Sequence, residues 1–290
     1  MLKNGYTLMH EHITIDLSKE KQDLDCYLDC QQETISELKA LYKQGVRNIV
    51  DMTNMGMGRM PEYLEQVEQE SGINIIQATG FYKEPFLPDL VKEKTTKQLA
   101  DIMVRELTEH LEGSSKRAAI IGELGTSKNQ MRDLEKKVFD AGIEAAKRTG
   151  KPIYTHTTLG TYALEQIEYF KKHHMDLKSI VIGHMDLNTD LAYIKEVLYS
   201  GVYIGFDTIG KNNYLPDSRR AYYIAELERE GLLNQVVLSL DITRKSHLKY
   251  KGGIGYTYLI DTFLPMLRQA GVKEDSIEKM LIENPRAIFA

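Results

Sequence analysis

Residues 118–157 read AAIIGELGTSKNQMRDLEKKVFDAGIEAAKRTGKPIYTHT, and they hold the unit from which the chain is built. A short apolar run, Ala118–Gly122, leads into a charged amphipathic stretch, Asp133–Thr149, and a second apolar run, Ile153–Thr155, comes after it. Two strands separated by a crossover of that length pair in parallel, since antiparallel neighbours need only a tight turn. The alternation repeats on both sides. Before it stand Tyr6–Met9, Asn48–Met52 and Ile73–Thr79; after it come Ile180–Gly183, Val202–Phe206 and Val236–Leu240. Helical stretches lie between, among them Glu33–Gln44, Lys97–Leu111, Ala163–His173 and Tyr222–Glu230. Eight such strands predict an α/β fold, a (β/α)8 TIM barrel. An open doubly wound sheet is the competing arrangement, but no glycine-rich dinucleotide fingerprint follows the first strand.

Length by itself suggests about two domains. No Pro/Gly/Ser-rich linker divides the 290 residues, however, and a single barrel domain over 1–290 accounts for them. With 42% hydrophobic and 27% charged residues the composition is that of a globular protein and excludes intrinsic disorder. The 37 basic and 42 acidic residues leave a net charge of −5, which argues against nucleic acid or a membrane surface as partner. No apolar run reaches transmembrane length. Met1–Tyr6 carries no signal-peptide core, and Cys26 and Cys30 in DCYLDC read as reduced thiols, so the expected compartment is the cytoplasm.

Active sites of such barrels lie at the C-terminal ends of the strands. The first strand ends in Met9-His10-Glu11-His12, where residues two apart face one way. The fourth delivers Glu123, the fifth His156, the sixth His184 followed by Asp186, the seventh Asp207 and the eighth Asp241. Four histidines with Glu123 and Asp241 make a nitrogen and oxygen donor set suited to borderline divalent metals, zinc foremost, with manganese or cobalt able to use the same ligands. Six ligands exceed one tetrahedral zinc but suit two bridged ions, which polarise an electrophile and generate hydroxide at neutral pH. His110, His173 and His174 fall in charged helical stretches and are expected outside the site.

Taken in order, HEH, GELGTS, THT, GHMD and Asp241 resemble the amidohydrolase superfamily. More narrowly, GYTLMHEH, DMTNMGMGR, FDTIGKNNYLPD, LSLDITRKSH and ENPRAIF resemble the phosphotriesterase-like family, in its bacterial homology-protein branch, from Gly5 to Phe289. The resemblance implies an amidohydrolase-type barrel in which His10, His12 and Asp241 hold one metal and His156 and His184 the other. The bridge between them is a carbamylated lysine in phosphotriesterase itself; here that position is Glu123, whose carboxylate needs no carbon dioxide to form. The implied chemistry is hydrolysis, with Asp241 both ligand and proton acceptor. Asp186 is expected either to orient a ligand ring or to cap a helix.

Two loops leave strand ends over the metals, Thr208–Tyr214 and Ile242–His247. They bring Lys211, Arg244 and His247 to the mouth of an acidic protein, where cations can clamp a phosphate or carboxylate. The expected substrate is a small anionic ester or lactone, such as a phosphorylated sugar lactone. A phosphoric ester hydrolase, and a non-catalytic metal-containing sugar-phosphate binding or regulatory protein, are the alternatives. Arg59 and Tyr82 are weaker contributors, Lys245 is expected to be solvated, and Gly252–Gly255 is either a mobile loop or turn punctuation. A homodimer is compatible with the sequence.

Overall fold

Each apolar run folds as a strand, in a computed structural model that describes all residues, Met1–Ala290. The strands are β1 (Tyr6–Glu11), β2 (Val46–Asp51), β3 (Asn74–Thr79), β4 (Ile120–Thr126), β5 (Ile153–Thr157), β6 (Ile180–Ile182), β7 (Tyr203–Phe206) and β8 (Val236–Leu238). All eight pair in parallel with their sequence neighbours. The seam between β8 and β1 is irregular: Asp241 N donates to His10 O at 3.3 Å and His10 N to Ser239 Oγ at 3.0 Å. Those bonds bring the ends of the chain's first and last strands into one site.

The helices between them are α1 (Gln31–Lys43), α2 (Pro61–Ser71), α3 (Thr96–Thr108), α4 (Asp133–Thr149), α5 (Ala163–Lys172), α6 (Leu191–Tyr199) and α7 (Asp217–Arg229). Their ends obey local chemistry. Thr95 and Gln98 form a capping box before α3, Asp190 accepts from the first-turn amides of α6, and left-handed Gly72 and Gly150 terminate α2 and α4. The apolar faces of helices and strands meet in an outer core of 68 buried residues, while ten others, Met9, Val50 and Tyr154 among them, fill the barrel itself.

Four differences from the sequence expectation bear on the site. β4 continues through Glu123 to Thr126 rather than stopping at Gly122, and all seven of its residues are buried, so the carboxylate projects from rigid strand. In β1 the pairing with β2 is irregular between Leu8 and Glu11; Met9 packs in the lumen and the neighbouring His10 ring also lies there, edge-on to Tyr154. Helix α7 starts at Asp217 rather than Tyr222, because the buried Asp217 carboxylate takes the Gly210 amide and pairs with Arg220 at 2.9 Å. A two-stranded ribbon, Ile15–Asp16 with Tyr27–Leu28, was not anticipated; it comes after β1 and belongs to the segment that walls one side of the mouth. Gly252–Gly255 is turn punctuation: Gly252 and Gly255 have φ of +83° and +66°, and the amides of Gly253 and Gly255 bond back to Leu248 and His247. No helix is long and apolar enough to cross a membrane.

Candidate metal centre

The six expected ligands converge at the C-terminal mouth of the barrel. His10 and His12 come from the end of β1, Glu123 from β4 and His156 from β5. His184 and Asp241 come after the short strands β6 and β8 and turn into the site on left-handed backbone, with φ of +58° and +53°. Such conformations cost free energy in non-glycine residues and persist where the surroundings over-determine them.

The Glu123 carboxylate divides its two oxygens. Oε1 faces His10 Nε2 at 3.7 Å and His12 Nε2 at 3.8 Å, while Oε2 faces His156 Nδ1 at 3.1 Å and His184 Nε2 at 3.4 Å. Asp241 Oδ1 lies 3.2 Å from His12 Nε2 and 3.8 Å from His10 Nε2. Ligand atoms of His10, His12 and Glu123, and separately those of Glu123, His156 and His184, all fall within 4.8 Å of one another. His10 is fully buried, yet neither ring nitrogen has a hydrogen-bond partner. A buried imidazole without a hydrogen-bond partner among converging carboxylates fits a metal ligand.

Partners behind the ligands select which nitrogen faces inward. The Nδ1 of His184 lies 2.8 Å from Asp207 Oδ1, and that carboxylate also takes the His184 amide and the Tyr154 hydroxyl, leaving Nε2 for the site. Asp207 also stands 3.4 Å from His10 Nδ1. The Thr53 hydroxyl donates to Thr14 O and so accepts from His12 Nδ1 at 2.8 Å. His156 is turned the other way: Thr158 donates to Thr126 O and receives Nε2 at 3.3 Å, presenting Nδ1 to Glu123.

Burial opposes every charge here, and the outcome depends on what opposes burial. Glu123 and Asp207 pull the His10 pKa up to about 10, and Asp207 leads in raising that of His184 well above its ordinary value. Against burial, His10 holds Glu123 well below the usual carboxylate range, His184 does so for Asp207, and Lys211 leads in lowering Asp241. For His156 burial and the charge of His184 win, and its pKa falls to about 4. The centre is a field of ionised carboxylates around imidazoles, ready to exchange protons for cations.

Above the ligands opens a cavity of about 490 Å³ lined by Lys211, Arg244 and His247, as expected, and also by Tyr82 and Lys83. The first two are already engaged. Arg244 Nη1 reaches Asp23 at 2.7 Å and Asp25 at 3.5 Å, and Lys211 pairs with Asp241. His247 brings no charge: burial lowers its pKa to about 4, and its Nδ1 accepts from Thr243 N at 3.2 Å. Tyr82 lies edge-on to His156, its hydroxyl 3.2 Å from Nδ1. Lys245 is not free in solvent but pairs with Asp29 at 2.8 Å, away from the cavity lining.

Two further sequence expectations are corrected. Arg59 does not reach the cavity; Glu106 takes it in a bidentate pair at 2.7 and 2.8 Å. Asp186 neither caps a helix nor touches a ligand ring: its carboxylate receives Arg220 Nε at 2.7 Å, the Thr208 hydroxyl at 2.6 Å and the Asp207 amide at 3.2 Å. The ring-orienting carboxylate is Asp207, which the sequence places at a strand end without a role. Its signal was there, an acid closing an apolar strand that offers no other site for a charge.

Over residues 2–289 the chain matches the model of the phosphotriesterase family. It is 45% identical to the phosphotriesterase homology protein of Escherichia coli over 98% of each chain. The crystal structure of that protein with phosphate in its active site superposes with a TM-score of 0.97, at 44% identity and covering 99% of each chain. A lactonase from Listeria monocytogenes is 32% identical with a TM-score of 0.93, over 99% of this chain and 94% of its own. The aryldialkylphosphatase of Saccharolobus solfataricus is 28% identical over 99% of this chain and 95% of its own. Hydrolases of carbon and phosphorus esters thus share this scaffold, and with a matching barrel over nearly its whole length, this chain belongs to the phosphotriesterase family.

Proposed function

We propose that this chain is a hydrolase with two divalent metal ions, zinc by the chemistry of its donors, acting on a small ester or lactone that carries an anionic group. The observation that carries the proposal is the division of Glu123, one oxygen toward each histidine pair. His10, His12 and Asp241 would hold one cation and His156 and His184 the other, with Glu123 shared. When bound, such a pair supplies Lewis acidity toward a carbonyl and lowers the pKa of water.

The chain's own groups account for the rest. Asp241 is ionised at neutral pH, lines the cavity and stands beside both His10 and His12, so it can accept the proton of an attacking water. Lys211 pairs with that carboxylate and steadies its charge. Lys211, Arg244 and the neutral His247 line the mouth, where a phosphate or carboxylate remote from the reacting bond can be gripped and its binding energy used to orient that bond.

Lysine and arginine side chains at the mouth, although Lys211 and Arg244 share their charge with carboxylates, offer an anionic substrate partners that a neutral phosphotriester cannot use. The phosphate in the related E. coli site and the lactonase activity named for the Listeria relative support the same choice. A purely structural metal site is disfavoured, since such sites are closed and four-coordinate whereas Glu123, His156, His184 and Asp241 line an open cavity. The deciding experiment loads the protein with zinc and follows proton release on phosphorylated lactones, uncharged lactones and phosphotriesters. Turnover fastest on the phosphorylated lactones is expected. Turnover of phosphotriesters alone would make it a phosphoesterase, and no turnover with both metals bound would leave a binding protein.

A further inference from the structure

Four cationic side chains line the cavity: Lys21, Lys83, Lys211 and Arg244. They are not equivalent. Arg244 and Lys211 are committed to carboxylates, and Lys21 is exposed at the end of a short helix, Ser18–Lys21. Lys83 is half-buried, and the hydrogen bond its ammonium makes is to a carbonyl, Glu84 O, at 3.3 Å. Glu84, next to it in sequence, and Glu135 and Glu123, whose charges act on it, are used elsewhere. Glu84 faces Arg132 at 3.5 Å, and Glu135 takes the Ser127 amide and hydroxyl and the Arg132 amide. What Lys83 has instead is an aromatic cradle, its Nζ 5.7 Å from the centre of Tyr82 and 5.8 Å from that of Phe86.

Its stem is placed as deliberately as a ligand. A side chain at Gly125 would put its Cβ 2.8 Å from Lys83 Cβ and 3.1 Å from Cγ and Cδ, so the lysine lies against bare backbone of β4. That strand delivers Glu123 two residues earlier. One rigid element therefore carries the shared carboxylate of the metal centre and backs the stem of this lysine. A cation withdrawn from water without a counter-ion carries a desolvation cost, and burial accordingly lowers the Lys83 pKa.

We infer that Lys83 is the specificity-determining cation of this site, supplying the unshared positive charge that pairs with the substrate's anionic head group. This inference rests on the proposed hydrolysis of anionic esters or lactones for its substrate, and on the cavity geometry for the residue. An anion arriving at Arg244 must compete with Asp23 and Asp25; one arriving at Lys83 displaces no carboxylate. The ring pair beneath the ammonium holds it in place, next to His156 through Tyr82.

The test uses the full chain loaded with zinc, its metal content checked by elemental analysis, in Lys83→Met and Lys83→Arg forms. Calorimetric titration with sn-glycerol 3-phosphate, which has no lactone to open, should show binding weakened about tenfold or more in Lys83→Met, as expected for loss of a charged pair. Lys83→Arg should stay within about threefold of the parent. In parallel, the ratio of kcat/KM for a phosphorylated lactone to that for an uncharged lactone should fall by at least about tenfold in Lys83→Met and recover in Lys83→Arg. Lys92→Met, on the surface beside Asp89, should leave the ratio alone. Equal binding by the parent and Lys83→Met, no binding by the parent, or equal loss in both Lys83 variants would overturn the inference. If the parent opens neither lactone, the hydrolase proposal fails, yet the glycerol phosphate titration still decides the role of Lys83.

Discussion

The floor and the mouth of the cavity are both crowded with charge, but they hold it differently. On the floor, three of the four histidines are fixed from behind by a buried or half-buried group: Asp207 for His184, Thr53 for His12, Thr158 for His156. His10 alone is held by packing and by the field of Glu123 and Asp207. At the mouth, Arg244 is a long flexible side chain shared with the part-exposed Asp23 and Asp25, and Lys83 has no acid at all. Groups fixed from behind present one geometry to whatever binds, which a metal pair requires. Shared surface charges can exchange partners at small cost, which suits a substrate that must come and go.

The largest effect should come from breaking the floor at its shared member. Glu123→Gln removes the charge that faces both histidine pairs, and the metal content of undepleted protein should fall from about two ions per chain to one or none by elemental analysis. Retention of two ions would show that the halves of the floor are independent. Next in size is Asp241→Asn, which should lower kcat by about 10²–10⁴-fold by removing the proton acceptor. A variant that keeps both metals and most of its rate would exclude Asp241 from that part. Asp207→Asn acts one step further back and should weaken metal affinity by about 10–100-fold in competition with a chelator, the usual cost of losing the group that orients a ligand ring. At the mouth, Arg244→Ala should lower kcat/KM for a phosphorylated lactone by only about tenfold, because Asp23 and Asp25 already share that charge. A loss as large as that of Asp241→Asn would erase the distinction between the two regions.

Protonation sharpens the same contrast. With its pKa raised to about 10, His10 of the metal-free floor keeps a proton at neutral pH, and a ligand nitrogen must give it up. Zinc added near pH 8 in weak buffer should therefore release protons, visible with an indicator dye. The charged His10 favours the metal-free fold fully below the unfolded value of about 6.5 and loses that contribution as pH rises through about 10, so stabilisation by zinc should grow with pH. His247, lowered to about 4, should contribute nothing to the release. Metal uptake without proton release would mean that Glu123 and Asp207 do not hold the ring charged.

The period of apolar runs and charged helices by itself determined a parallel α/β sheet, because crossovers of that length join parallel neighbours, and eight such units with no dinucleotide fingerprint pointed to the barrel rather than the open sheet. It also located the candidate ligands, because the C-terminal end of every barrel strand opens on the site. The polar residues closing each apolar run, His10, His12, Glu123, His156, His184 and Asp241, could therefore be read off in order. What each side chain meets was decided by tertiary structure. Nothing near Arg59 in the chain points to Glu106, nor near Arg244 to Asp23, and these partners lie 47 and 221 residues away. The same holds for Asp186, drawn to Arg220, for Asp207, aimed at two histidine rings, and for Lys83, left without an acid because Glu84 and Glu135 turn elsewhere. Periodicity fixes which way a backbone faces, and that is a local property. Whether a charge is shared, orphaned or neutralised depends on distances between elements, which come into being only when the units pack against one another.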